Sequence, residues 1–500
     1  MKDELESKLL KGVKTLAVVD LQWGDTGKGK IVDYFASGWA DIVARGTGGD
    51  NAGHTIRRGN KEHVLHIMPC GIFSGKTSVI GSGTAVNPKA LSEERISAQG
   101  SGFDTSKLMV SYKAKLVLPT HRLLDSLREY MAGSSRIGST KKGMEPVYSD
   151  HSARFGLIIN DLLNKDIFAN KLRRHLSEKK SLLRNFDSEL VKKLMQSDIL
   201  ENGIYYEPSR IFDEEAIMCQ YQVYAQVFQD CVWDTEEFMR IQAGTSKILL
   251  EGSQGFLLSI DHGTYPFVTS SDCSLDGLLK GVGLNRAHLD RALGIAKGAY
   301  VTRVGGGPMV TELGGSRSEA WCNSDSTNRA KEMALHGRAD LNDPEDFMRG
   351  IAIRRVGNEY GATTGRPRRI GWLDLPLLRY ALAHGGTDMV LTKMDVFDGC
   401  DKIKICDAYE FVGPDMNYAG KKFKSGDRIF CAIPDAEFLK YCCPVYEELP
   451  GWQEDIREVR SWEDLPLNLK SLVFRIASRT GSKPRIISVG PKPEETIYIP

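Results

Sequence analysis

The chain has 500 residues, 41% of them hydrophobic and 26% charged, with 66 Lys and Arg against 65 Asp and Glu for a formal net charge of +1. That balance suits a globular protein and argues against a surface built mainly to hold nucleic acid or anionic membrane; no apolar run approaches the roughly 20 residues that span a bilayer. At roughly 150 residues per domain the length suggests about three domains, a prior that large α/β enzymes often exceed as one unit.

Residues 1–14 (MKDELESKLLKGVK) are charged and mixed, without the apolar stretch of a secretory signal, and read as an N-terminal extension. The letters KDEL at Lys2–Leu5 carry no address, because that signal is read at a C-terminus. The ten cysteines form no Cys-x-x-Cys pair, so packing thiols and a cytoplasmic setting are expected.

Thr15–Asp20 (TLAVVD) predicts a buried strand running into Gly24-Asp25-Thr26-Gly27-Lys28-Gly29-Lys30. The glycines let main-chain N–H groups approach phosphate oxygens. The spacing nearly spells a Walker A loop, but Ile31 stands where such a loop needs Ser or Thr to hold magnesium. Asp25 is the odd member, since a carboxylate beside phosphates is repelled unless a cation or a proton-transfer role accounts for it. A second Gly-rich turn, Gly48–Thr55, carries His54; Asp25 and His54 could form an acid/base pair, although the spacing alone does not bring them together.

Leu162–Leu200 and Asp213–Arg240 have helical spacing, the second with Tyr221, Tyr224, Phe228, Val232 and Phe238 as core positions. Lys247–Leu250 predicts another strand, ending at Glu251-Gly252-Ser253-Gln254-Gly255. Ser316–Gly350 is polar and reads as a surface excursion. Ala362–Arg369 sets three arginines beside two threonines, a pattern that suits carboxylate and phosphate. Met389–Thr392 predicts a strand leading into Lys393-Met394-Asp395, the Thr-Lys-x-Asp pattern that reads guanine: the carboxylate accepts from the base N1–H and N2–H, donors that adenine lacks. Arg485–Ser488 predicts a fourth strand, followed by Val489-Gly490-Pro491. Four buried strands ending in polar or glycine turns predict an α/β fold: a large, mostly parallel central sheet with flanking helices, P-loop-NTPase-like, ligands gathered at the strand C-termini, and peripheral subdomains. No Pro/Ser-rich linker divides the chain, so residues 15–500 are expected to form one domain, with 316–350 at its periphery.

Taken together, these segments resemble the adenylosuccinate synthetase family. The matching stretches are Gln22–Asp33, Asn51–Thr55, Leu250–Gly255, Ile260–Ser271, Tyr300–Pro308, Tyr360–Leu375, Leu391–Asp395 and Ile487–Pro491, in the family's order and over nearly the whole chain. The resemblance implies a ligase forming a C–N bond: IMP, L-aspartate and GTP give adenylosuccinate, GDP and phosphate through 6-phosphoryl-IMP, in purine biosynthesis. It implies that Asp25 is the base taking the N1 proton of IMP, that His54 donates a proton to the transferring phosphoryl group, that Gln254 binds purine O6, and that Lys28 and the loop amides steady phosphates.

The resemblance further assigns GTP to Gly24–Lys30, Gly53, His54, Thr55, Arg368, Lys393, Met394, Asp395 and Ser488, Val489 and Gly490. IMP falls to Asp25, Lys28, Asn51, Ala52, Gly53, His54, Thr140, Gln254, Thr269 and Arg366, with Arg154 reaching the IMP of a neighbouring subunit in a homodimer. Aspartate falls to Ala362, Thr363, Thr364, Gly365, Arg366 and Arg368, and Mg²⁺ to Asp25 and the carbonyl of Gly53. No nucleic-acid or membrane partner is implied.

The chain departs from the family pattern in places. Thr26 replaces Glu, Asp50 replaces Asn, Ser259 and Asp272 replace the commoner Asp and Asn, and Ser139–Tyr148 loses Gly and Arg residues of the loop over the IMP phosphate. Ser316–Gly350 is longer than the usual connection. Three other readings are weighed: a related ligase acting on dGMP, against which Asp25 counts, a guanine-nucleotide switch protein, against which Ile31 counts, and an inactive paralogue acting as a binding module, against which Asp25, His54, Lys28 and Gln254 count.

Overall fold

Thr15–Asp20 is buried along its whole length, as a strand covered on both faces must be. The computed structural model in which it sits describes residues 7–58, 61–133, 136–197, 211–324, 326–361 and 365–500, with the main chain alone at 54–58, 61–62 and 195–197. Ten strands form the central sheet: β1 (Thr15–Asp20), β2 (Ile42–Arg45), β3 (Thr77–Ile80), β4 (Leu108–Ser111), β5 (Val232–Trp233), β6 (Ile248–Glu251), β7 (Arg291–Lys297), β8 (Asp388–Thr392), β9 (Lys483–Ser488) and β10 (Thr496–Tyr498). Their order is β10-β9-β8-β7-β1-β6-β2-β3-β4-β5. Every neighbouring pair is parallel except β9 and β10.

The four strands expected from the sequence are β1, β6, β8 and β9. With β7 between β1 and β8 they stand side by side, so their C-terminal turns meet along one rim of the sheet. β7 (RALGIAK) was not expected: Ala and Gly replace the β-branched run of its neighbours. The glycine has a reason, since a Cβ at Gly294 would lie 2.5 Å from the Leu21 side chain.

Leu162–Leu200 contains helices at Lys165–Leu183 and Ser188–Ser197. The helical expectation for Asp213–Arg240 needs correction. It breaks into Glu214–Phe228 and Thr235–Gln242, with edge strand β5 between them. Asp213 caps the first helix through the Ala216 N–H and Asp234 the second through the Glu237 N–H, and the Cys231 carbonyl accepts the Val110 N–H of β4 at 2.7 Å. Tyr221, Tyr224 and Phe228 are buried, as expected; Val232 and Phe238 are half-buried.

A second sheet of five strands (Tyr300–Arg303, Arg369–Asp374, Lys402–Phe411, Arg428–Ile429 and Cys442–Pro450) was also not foreseen. Tyr300–Arg303 and Arg369–Asp374 pair antiparallel, which fixes the segment that carries Arg368. Residues 316–350 contribute to three helices, Gly315–Asn323, Arg329–His336 and Asp346–Val356, around a small cluster of Ala339, Phe347, Ile351 and Ala352. Among the described residues, no helix is long and apolar enough to cross a membrane.

Candidate active site

The rim of the central sheet opens into a cavity of about 1240 Å³. Its floor is the loop after β1. Asp20 ends that strand buried, and its carboxylate accepts from the N–H groups of Gln22 (2.8 Å) and Gly24 (3.3 Å) and from the Thr26 hydroxyl. Burial pushes the Asp20 carboxyl up, against the pull of Lys28. Gly27 then enters the helix Lys28–Gly38 with φ +82°; no side chain caps this end, and no acidic residue sits in its first turn. Uncapped N–H groups facing a cavity are an anion site.

The loop after β6 closes on that floor. A Cβ at Gly255 would stand 2.3 Å from the Gly24 nitrogen, so the two turns touch main chain to main chain. Lys28 Nζ donates to the Gln254 carbonyl at 2.9 Å, and burial lowers its pKa. Gln254 Nε2 donates to Asn51 Oδ1 at 2.9 Å, the Gly49 N–H donates to the same oxygen at 3.1 Å, and Asn51 Nδ2 donates to Thr269 Oγ1 at 3.3 Å. Gln254, Asn51 and Thr269 therefore form one linked polar face.

Asp25, Gln254 and Lys393 line the cavity with left-handed backbone, at φ +57°, +44° and +59°. That conformation costs roughly 1–2 kcal/mol for a residue with a Cβ and concentrates at functional sites. The Asp25 side chain is exposed to the cavity, with Oδ2 2.9 Å from Arg368 Nε. Lys393 Nζ donates to the Gly357 carbonyl at 2.7 Å, and burial raises the Asp395 carboxyl beside it.

The cavity wall thus gathers Gly24–Lys30, Asn51, Ala52, Gly53, Thr140, Gln254, Thr269, Arg368, Lys393, Asp395, Ser488 and Gly490. Met394 and Val489 lie fully buried behind it. Lys30 reaches it, but its ammonium already donates to Ser488 Oγ (2.7 Å), the Gly490 carbonyl (2.7 Å) and the Glu495 carbonyl (2.9 Å), and burial pulls its pKa down to about 7. Gly365 and Arg366 are half-buried and Arg154 is exposed, and none of the three is among the residues that line the cavity. His54 and Thr55 begin the hairpin His54–Arg58/Lys61–Leu65, their side chains outside the described atoms. Ala362, Thr363 and Thr364 lie outside the described residues.

Sequence reasoning missed the opposite wall. Asp125, Arg128 and Glu129 line it from the helix Pro119–Met131. Asp125 accepts from the Ser139 hydroxyl (2.5 Å) and the Gly143 N–H (2.8 Å); Glu129 accepts from the N–H groups of Gly138 (2.7 Å) and Ser139 (3.1 Å). Two helix carboxylates thereby hold the turn that departs from the family pattern. Their spacing from Ser139 leaves no trace in a linear reading.

Two other departures explain each other. Ser259 Oγ donates to Asp272 Oδ1 at 2.8 Å, so the shortened side chain at one position meets the carboxylate at the other. Thr26, where Glu is usual, is fully buried; its hydroxyl binds Asp20 and its carbonyl accepts from Thr392. Asp50 is buried, with Oδ2 accepting from Asn87 Nδ2 at 2.9 Å, and burial raises its carboxyl.

A parallel sheet whose rim joins a glycine-rich loop, an uncapped helix start and a Thr-Lys-x-Asp turn defines the class: a nucleotide-binding α/β enzyme. The family model for adenylosuccinate synthetase matches residues 17–497. Adenylosuccinate synthetases of Exiguobacterium sibiricum and Listeria innocua are each 40% identical, over 491 and 487 residues, covering 97% of this chain and 98% of theirs. The fully ligated adenylosuccinate synthetase structure from Plasmodium falciparum superposes with a TM-score of 0.78 at 31% identity, covering 97% of this chain and 100% of that one. The cyanophage S-2L succinoaminodeoxyadenylate synthetase bound to dGMP and dATP shares the fold at a TM-score of 0.53 and 18% identity, covering 98% of this chain and 96% of that one.

The chain belongs to the adenylosuccinate synthetase family. It is a GTP-using ligase that joins L-aspartate to IMP.

Proposed function

We propose that the cavity performs this ligation with the following roles. Hydroxide is a poor leaving group from purine C6, so O6 is phosphorylated first. Asp25 takes the N1 proton of IMP, charge builds on O6, and O6 attacks the γ-phosphorus of GTP as GDP leaves. The aspartate amine then adds at C6, loses a proton and expels phosphate. The observation that supports this is the position of Asp25: its carboxylate is exposed to the cavity that the linked face of Gln254, Asn51 and Thr269 and the start of the helix at Lys28 also line. A base so placed is typically worth about 10²–10⁴ in rate. Asp395 reads guanine, Lys393 covers the ring, Lys28 and the loop amides bind phosphates, and Gln254 holds O6. His54 supplies the proton donor, and 362–366 with Arg368 bind the aspartate carboxylates.

Asp25 and the Gly53 carbonyl both line the cavity and suit Mg²⁺, a hard cation that takes oxygen ligands. When bound, the ion would neutralise phosphate charge. We further read residues 15–500 as one catalytic unit with 316–350 at its periphery, working in the cytoplasm as a homodimer. The exposed Arg154, which is not among the residues that line its own cavity, supports a role at the partner's IMP.

The test is a matrix of IMP, GMP and dGMP against GTP and ATP, with aspartate and Mg²⁺, followed by absorbance and mass. Adenylosuccinate from IMP and GTP alone is expected. Product from dGMP but not IMP would overturn the acceptor assignment, and nucleotide hydrolysis indifferent to aspartate would overturn the ligase mechanism.

A further inference from the structure

Behind the cavity wall, three cations converge on one carboxylate. Glu359 has no exposed surface and follows the helix Asp346–Val356. Its Oε1 accepts from Lys297 Nζ at 2.7 Å and from the Tyr300 hydroxyl at 2.6 Å, and Lys393 Nζ lies 3.4 Å from the same oxygen. Its Oε2 accepts from Arg368 Nη1 at 2.6 Å. Lys297 and Tyr300 are fully buried and do not line the cavity; Lys393 and Arg368 do.

A buried carboxylate paired with one lysine would be ordinary scaffolding. Here Tyr300 and Lys297 hold Oε1 from the interior, Lys393 approaches the same oxygen and Arg368 holds Oε2, so that two of the cations come from separate elements of the cavity wall. Lys393 comes from the turn after β8, and Arg368 from the segment entering the second sheet. Burial alone would raise the Glu359 carboxyl, but Lys297, Lys393 and Arg368 outweigh it and hold it well below the usual range, so it stays ionised. Arg368 divides its guanidinium between Glu359 and Asp25. Without Glu359, Lys393 would keep its bond to the Gly357 carbonyl but lose its charge partner, and the Arg368 guanidinium would be left to Asp25.

We propose that Glu359 is a positioning residue that sets Lys393 and Arg368 at a fixed separation, so that the guanine-reading turn and the arginine beside Asp25 engage one nucleotide together. It touches no substrate. The proposal rests on the reading of the cavity as a GTP and IMP site.

Glu359→Gln alone leaves three buried cations around a neutral amide and risks unfolding, so the central variant is Glu359→Gln/Lys297→Met, which removes one charge of each sign. It is expected to keep its helix content and a cooperative melt, yet to lose about tenfold or more in kcat/KM for GTP, with KM for IMP within about threefold of wild type. Lys297→Met alone, which leaves Glu359 on Lys393 and Arg368, is expected to retain kcat/KM for GTP within about threefold. Wild-type GTP kinetics in the folded double variant would make Glu359 scaffolding only and overturn the proposal, as would an equal loss in folded Lys297→Met. Glu359→Asp keeps the charge and shortens the reach, so it carries the test if the double variant does not fold: about a tenfold loss confined to GTP is expected, and unchanged kinetics would overturn the proposal. GTP binding is measured by calorimetry on the same proteins. A wild type that binds GTP but forms no adenylosuccinate would defeat the reaction assignment; equal GTP affinity and turnover in wild type and a folded Glu359 variant would defeat the role of Glu359.

Discussion

One wall of the cavity is made of strand ends, and the other of a helix and the turn it holds. On the first wall, the turns after β1, β6, β8 and β9 emerge from a continuous sheet ladder, and Asp25, Gln254 and Lys393 are held left-handed by main chain that cannot relax independently. On the second, residues 138–143 hang from the carboxylates of Asp125 and Glu129. The difference is one of redundancy. At the strand ends the sheet ladder shares the load with the Asp20 carboxylate, whereas at the turn two helix carboxylates carry most of it. The turn can therefore change in sequence without disturbing the strand-end wall.

Substitutions should separate the two walls. Asp25→Ala, on the strand-end wall, is expected to lose more than about 100-fold in turnover with an unchanged melting temperature; residual activity above roughly a hundredth would reject the base assignment. Asp395→Asn is expected to raise KM for GTP by roughly 10–100-fold and weaken discrimination against ATP, with KM for IMP unchanged. Asp125→Ala tests the other wall. It frees the Ser139 hydroxyl and strands the Gly143 N–H, so about 1–3 kcal/mol of stability should go, with KM for IMP rising about tenfold and KM for GTP steady. A rise in both KM values would mean that the walls are mechanically one. Mixing Arg154→Leu with Asp25→Ala subunits should recover part of the activity; no recovery despite subunit exchange would dismiss a shared site.

The smallest expected effect concerns pH, behind the helix wall. Asp150, on the helix Met144–Ser152, accepts from Lys179 Nζ (2.5 Å) and His121 Nε2 (3.0 Å), with His175 Nδ1 3.6 Å away. The Leu118 N–H donates to His121 Nδ1 at 3.0 Å, so the ring proton sits on Nε2 and neither nitrogen is open to a metal. Burial lowers both histidines from 6.5 and keeps them neutral. Below pH 6.5 the unfolded chain binds protons that the folded chain refuses, so stability falls as pH falls. Burial alone would raise Asp150, but His121 and Lys179 hold it at about 2; its contribution is present above about pH 4 and lost toward 2. His175→Gln should flatten the upper window by about 1 kcal/mol, read as a smaller change in urea midpoint between pH 7 and 5.

The parts legible in the sequence share a physical cause. β1, β6, β8 and β9 announce themselves because strands buried on both faces need continuous apolar side chains, and the Gly24–Lys30 and Thr392–Asp395 patterns are local chemistry on consecutive residues. β7 escaped because close packing at Gly294 demands a residue with low strand preference. The break at Val232 escaped because edge pairing with β4 overrides helical spacing. Asp125, Glu129 and Glu359 were invisible as site residues, since each acts through a contact that only the folded chain makes, on a turn or a cation outside its own helix or segment. The Ser259–Asp272 contact likewise turns two separate departures into one exchange only once the chain is folded.

The ammonium of Lys30 bears on how the molecule is made. It fastens the first helix of the phosphate loop to Ser488 and the carbonyls of Gly490 and Glu495. The loop leaves the ribosome before its anchor, which lies more than four hundred residues later. A growing polypeptide therefore carries this glycine-rich loop without that fastening while the intervening residues are made. The finished catalyst exists only after residue 495 has emerged and docked.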